Sequence, residues 1–141
     1  MYILGVSCYY HDSAACIIRE GKLIAAAEEE RFTRKKHDSS FPENAIKYCL
    51  QAAGITIKDV HAIGFYEKPF LKFERLLYQH LQGWPQTLGT FTRSLPSWIN
   101  EKLRVPKVFK KKFKYKGPVF FIQHHMTHAA SSFLVSPFEE A

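Results

Sequence analysis

The residues best suited to chemistry are Gln123-His124-His125-Met126-Thr127-His128-Ala129, with three histidines inside five positions. If a helix begins near Gln123, His124 and His128 stand at i and i+4 and share a face about one turn apart. Two imidazoles at that spacing can hold one metal ion, as helical HxxxH pairs do in zinc enzymes. His125 then points elsewhere, toward an anion or a substrate group. The bland alternative is a helix start whose imidazoles cap carbonyls or face solvent, and it is the commoner fate of such a motif. Position argues against it here, because the cluster directly follows a buried-strand pattern, where α/β proteins place ligands. A third ligand, a carboxylate, is still required; Asp12 is one candidate, although nothing in the sequence links it to the histidines.

Three further segments carry polar groups. Tyr9-Tyr10-His11-Asp12-Ser13-Ala14-Ala15 joins two strand patterns. A tight turn there can present backbone N–H groups to a phosphate or carboxylate, with Asp12 and Ser13 as candidate substrate-binding residues. Walker A spacing is absent, which excludes a P-loop; the plain reading is a polar β-turn. Glu28 to His37 flips from acidic to basic within ten residues, and Lys36 and His37 are candidate anion-binding groups. A solvated loop with ion pairs of little energetic weight accounts for the same composition. Finally, Lys107, Lys110, Lys111, Lys112, Lys114 and Lys116 interleave with Phe109, Phe113 and Tyr115. Basic residues among aromatics invite a nucleic-acid reading. A helix with solvated lysines and inward aromatics is favoured, because without those six the balance is 14 basic residues against 13 acidic.

The elements that must position these groups are readable in outline. Tyr2–Ser7, Ala14–Ile18 and Leu23–Ala27 read as strands, with Glu20-Gly21 as a hairpin turn. Residues 28–41 read as a loop with at most a turn of helix. Pro42 suits a first helical position, Ser39 and Ser40 are cap candidates, and Gly54 ends the helix. Val60–Tyr66 reads as a strand, and Pro69 to Leu81 as an amphipathic helix broken at Gly83-Trp84-Pro85. Residues 86–117 form a poorly readable basic insertion, its short helical pieces punctuated by Pro96 and Pro106. Val119–Ile122 reads as a buried strand and His124–Val135 as a helix stopped by Pro137, its small residues allowing close approach to a sheet. This order predicts an α/β domain with a mixed sheet and flanking helices.

The chain has 141 residues, 46% hydrophobic and 23% charged, which suits one globular domain and excludes a disordered one. No apolar run approaches the ~18–20 residues of a membrane span, and the start lacks a signal peptide's basic region. A cytoplasmic protein without a membrane partner is expected. Cys8, Cys16 and Cys49 are an odd number without CxxC spacing, so free thiols are expected rather than disulfides or a zinc knuckle.

Taken together, the motifs resemble the N-terminal segment of the O-carbamoyltransferase family that includes the nodulation, cephem and tobramycin carbamoyltransferases. The matching blocks are Ile3-Leu4-Gly5-Val6, His11-Asp12-Ser13-Ala14-Ala15, Ala27 to His37, and His124 to Phe133 followed by Ser136-Pro137-Phe138. They span nearly the whole chain, with 67–117 matching loosely. The resemblance implies the first half of an actin-like ATPase (ribonuclease H-like) domain over 1–141. It implies ATP and carbamoyl phosphate as substrates, with the carbamoyl group passing through carbamoyladenylate to a hydroxyl of a sugar or natural product. It also implies a divalent metal, Fe(II), held by His124 and His128. His11 and Lys36 would orient the carbamoyl group or stabilise developing charge, with His37 assisting. Because family members are several times longer, an incomplete chain inactive alone is expected. Its missing C-terminal part, or a complementing chain, becomes a necessary partner, and an exposed apolar face should favour association. Two competing readings are a threonylcarbamoyl-type transferase, which offers no reason for the EEERFTRKKH block, and a non-catalytic binding or regulatory module whose lysine segment grips RNA, membrane or a partner subunit. Nucleic acid is not an expected partner.

Overall fold

Alternating hydrophobicity and one tight turn build the first three strands. In the computed structural model, which describes residues 1–10, 12–100, 102–134 and 136–138, β1 (Tyr2–Ser7), β2 (Ala14–Arg19) and β3 (Lys22–Glu28) form an antiparallel meander. Glu20 (φ 48°) and Gly21 (φ 78°) make the two-residue turn, whose left-handed backbone matches the strand twist. After α1 (Glu30–Thr33) and α2 (Glu43–Ala52) the chain adds β4 (Val60–Phe65) parallel to β1, and later β5 (Val119–Phe121) parallel to β4. The five-stranded order is β3-β2-β1-β4-β5, the mixed α/β sheet read from the sequence.

One sheet face forms the core. Leu4, Val6, Ala15, Ile17, Ile63 and Phe65 are buried. The side chains of Ala45, Ile46, Cys49 and Leu50 on α2 are buried too, and α2 packs on β2 and β3. The end of α2 is fixed by Gly54 N–H on the Gln51 carbonyl (3.0 Å) and Ile55 N–H on the Leu50 carbonyl (3.1 Å), with Gly54 at φ +66°. This paired motif needs a left-handed residue, which glycine supplies without strain. The opposite face is half open, with a groove of about 940 Å³ lined by residues including Ile3, Cys16, Ile18, Gly64 and Ile122. On that face a Cβ on Gly5 would lie 2.7 Å from Cys16 Sγ. None of the three cysteines is in a disulfide, and burial pushes the Cys49 thiol up to about 11, with Cys16 adding to the effect.

The connection from β4 to β5 holds a second unit, Lys68–Lys116, distinct from the unit of Met1–Glu67 with Gly117–Ala141. It contains α3 (Pro69–Gln82), α4 (Leu88–Asn100) and α5 (Val105–Phe113). Phe73 meets Trp98 at 5.8 Å and His80 meets Phe91 at 5.1 Å, joining α3 to α4. α5 buries Val105 and Phe109 and exposes Lys107, Lys110 and Lys111, as the solvated-lysine reading expects.

Several expectations need correction. α4 continues through Pro96, which lies on an exposed position where water can take the carbonyl freed at Thr92. β5 is an edge strand rather than a buried one: it pairs with β4 alone, and Phe120 is 58% exposed. α6 (His124–Phe133) has no buried residue among those described, so its small residues do not serve close packing. Val135, the expected last residue of that helix, lies outside the described residues.

Neither Ser39 nor Ser40 caps α2, and Pro42 occupies the cap rather than the first helical position. The cap comes from farther away. The Glu29 carboxylate, 2% exposed, accepts from Asn44 N–H (3.1 Å), Asn44 Nδ2 (2.7 Å) and Ala45 N–H (2.8 Å). An anion suits this helix end, where N–H groups lack partners and the dipole is positive. The backbone ties the same loop to the β1–β2 turn: Glu29 N–H donates to Ser13, Ser13 N–H to Asp38 and Tyr9 N–H to Ser39, at 2.8–2.9 Å. Glu29→Ala is expected to lower the unfolding free energy by about 2–4 kcal/mol, since three donors lose a charged acceptor in a buried site. Glu29→Gln, which keeps one oxygen, should lose about half as much. Urea denaturation measures both, and an alanine variant as stable as wild type would refute the assignment.

Candidate functional site

Strand direction gathers the candidate residues at one edge of the sheet. β1, β4 and β5 are parallel, and β3, antiparallel to β2, runs with them. Their carboxyl ends lead into the turn at 8–13, the loop at 29–41, Tyr66 and α6. Such an edge is where α/β sheets bind ligands.

At this edge α6 starts directly after β5 and puts His124 and His128 on one face. Their Nε2 atoms lie 3.1 Å apart. That separation is what two imidazole nitrogens adopt on a single ion with bonds of about 2.0–2.1 Å. The two rings are edge-to-face with centroids 4.5 Å apart. Tyr66, which the sequence reading passed over, packs edge-to-face on His124 at 5.5 Å. The Thr127 hydroxyl sits 2.6 Å from the His124 carbonyl and 3.3 Å from that of Tyr66, linking α6 to the end of β4. His124 Nδ1 and the Tyr66 hydroxyl are buried atoms without a hydrogen-bond partner among the described residues. Burial, and then the nearby Glu67, pushes the Tyr66 phenol well above its usual range, so it stays a neutral donor. His125 is exposed.

The loop brings a second group together. His37 Nδ1 lies 2.8 Å from Asp12 Oδ1, and His37 N–H donates to Glu30 Oε2 at 3.1 Å. Ligand atoms of Asp12, Glu30 and His37 lie within 4.8 Å of one another. Asp12, the candidate third ligand of the histidine pair, therefore sits against His37. Among the described residues no three-ligand group contains His124 and His128. Ser13 is buried and its N–H is already engaged by Asp38, which leaves its unpartnered Oγ as the group able to bind. Lys36 is exposed on the loop beside His37. His11 lies outside the described residues.

Asp38 was not singled out from the sequence, yet its buried carboxylate organises the loop tip. It accepts from Ser40 N–H at 3.0 Å, and this bond, then the Ser40 side chain, holds it below the usual carboxylate range. A carboxyl depressed in the folded state stabilises above its unfolded value, and that contribution fades as pH falls through the folded one. Wild type is therefore expected to lose stability as pH drops below about 4, and Asp38→Asn should lose less over the same interval. Thermal melts between about pH 6 and pH 3 measure this, and parallel slopes for both proteins would contradict it.

The family model described as the carbamoyltransferase N-terminus matches residues 2–141. Uncharacterized protein sll1178 of Synechocystis sp. is 50% identical over 99% of this chain, which covers 24% of that protein. Nodulation protein NolNO of Sinorhizobium fredii is 32% identical over 94% of this chain, which covers 19% of it. The chain thus spans about a fifth to a quarter of the length of these relatives. Among solved structures, component A of (R)-2-hydroxyglutaryl-CoA dehydratase from Acidaminococcus fermentans aligns at 22% identity over 47% of this chain and 25% of its own, with a TM-score of 0.36. With the family matched along nearly its whole length, this chain belongs to the carbamoyltransferase N-terminal family.

Proposed function

We propose that the chain is the N-terminal part of an O-carbamoyltransferase with an actin-like fold. It would help move a carbamoyl group from carbamoyl phosphate, by way of carbamoyladenylate and ATP, to a hydroxyl of a sugar or natural product. The observation that carries this reading is the convergence of His124 and His128 at the carboxyl edge of the sheet in a chain of this family.

His124 and His128 would hold a divalent ion, Fe(II) by the family resemblance, which when bound supplies Lewis-acid polarisation of a carbonyl or phosphate oxygen. Transfer to a hydroxyl also needs a base and a stabilised oxyanion. With Nδ1 2.8 Å from the Asp12 carboxylate, His37 would donate there and present Nε2 toward the acceptor's hydroxyl. Lys36, one residue away, is a compact cation for the developing oxyanion. His11 would orient the carbamoyl group, His125 would contact substrate at the rim, and the buried, unpartnered Ser13 Oγ would contact it inside the turn. Attack by the acceptor oxygen on the carbamoyl carbon then expels AMP. The relatives' extra length leaves room for the third ligand and the rest of the nucleotide site.

The test is carbamoyl transfer from radiolabelled carbamoyl phosphate by a polypeptide of the relatives' length bearing this segment. His128→Ala is expected to lower the rate at least about 100-fold, beyond what loss of an outer contact costs. Lys47→Ala, an exposed change on α2, should leave it unaltered. A His128→Ala protein with wild-type turnover would overturn the proposal.

A further inference from the structure

We infer that the helical unit Lys68–Lys116 is a peripheral docking surface for an anionic lipid bilayer. Charge is sharply divided between the two units. This one carries twelve Lys and Arg against Glu74 and Glu101, a net +10, which leaves −3 for the rest of the chain. Two carboxylates cannot neutralise twelve cations. The surplus creates a positive field over the unit, and such a field attracts an anionic surface across about a Debye length, ~8 Å.

The same unit exposes apolar side chains in a pattern. On α3, Phe73 and His80 face α4. Phe70, Leu77 and Leu81, at spacings of seven and four, line an adjoining helical stripe that the exposed Glu74 interrupts, and they remain exposed, with Tyr78 63% and Trp84 60% exposed nearby in sequence. Leucine and aromatic residues on one side of a helix, with cations on the other, let it lie in a bilayer interface with its apolar side in the acyl boundary. Arg75 and Gln79 occupy the opposite side of α3.

Charge alone would also suit RNA. Two features favour lipid. Bases stack on aromatic rings and gain little from exposed leucines. Of the three aromatics interleaved with the lysines, Phe109 and Tyr115 are buried and only Phe113 is half-buried, which leaves little ring surface there for stacking. No helix among the described residues is long and apolar enough to cross a membrane, and surface docking needs none. The sequence expectation of no membrane partner rested on the missing span, which does not bear on a surface site.

Sedimentation of the whole chain with vesicles tests the inference. Vesicles of phosphatidylcholine with about one third phosphatidylserine are expected to carry the protein down, whereas phosphatidylcholine alone should not. Raising salt from about 0.1 to 0.5 M should release it. Replacing Lys107, Lys110 and Lys111 by Ala is expected to raise the lipid needed for half-binding about tenfold. Leu77→Ser with Leu81→Ser, both exposed changes, should also raise it several-fold while circular dichroism stays unchanged. No sedimentation at low salt would overturn the inference, as would equal binding to neutral vesicles. Poly(U) binding tighter than vesicle binding and indifferent to the leucine changes would overturn it in favour of nucleic acid. Metal binding is measured without lipid, so this inference and the carbamoyltransferase reading fail independently.

Discussion

The buried Glu29 carboxylate is the contact on which the arrangement of the site depends. A charge removed from water is tolerated only where donors replace its hydration. Here Asn44 and Ala45 supply three N–H donors at the positive end of α2. Three segments far apart in sequence are thereby locked together: the end of β3, the start of α2 and, through the Ser13 and Asp38 backbone, the β1–β2 turn. Once Glu29 is fixed, its neighbours have little freedom. Glu30 reaches the His37 N–H, and His37 comes against Asp12. An acid-histidine pair is thus assembled by a carboxylate that touches neither of them.

The histidine pair is held by a different logic. No described residue of α6 is fully buried, so it is not held by a packed apolar face. Its first turn is placed by the end of β5, by Thr127 reaching toward the Tyr66 carbonyl, and by the Tyr66 ring on His124. Helical periodicity puts the two rings on one face, and their Nε2 atoms lie 3.1 Å apart. Both ligands of the proposed half-site lie within this segment. Among the described residues neither a hydrogen-bond partner for His124 Nδ1 nor a third ligand beside the pair is found.

Features set by neighbouring residues were legible in the sequence. Glu20-Gly21 dictated a two-residue hairpin, alternation dictated β1 and β2, and HxxxH dictated a two-imidazole face. Features set by distant partners were not. Glu28, Glu29 and Glu30 look alike as a run, and only the docking of α2 selects the middle one for burial. Ser39 and Ser40 were reasonable caps by proximity, but a carboxylate from the end of β3 reached the helix first. β5 reads as buried because its residues are apolar, whereas burial depends on a neighbour on its outer side, and among the described residues the sheet has none. Pro96 signals a break only if its freed carbonyl has no solvent, and on α4 that position is exposed. Tyr66 had no motif to announce it; its place after a parallel strand, at the edge where the histidines emerge, was the signal available.

The central claim is that this chain presents a preformed two-histidine metal half-site, and direct titration of Fe(II) or Mn(II) into it by anaerobic calorimetry tests that most plainly. The account predicts micromolar binding of one ion, abolished when His124 and His128 are both replaced by Ala and kept in His125→Ala. Heat of binding that is absent in wild type, or unchanged in the double variant, would contradict it.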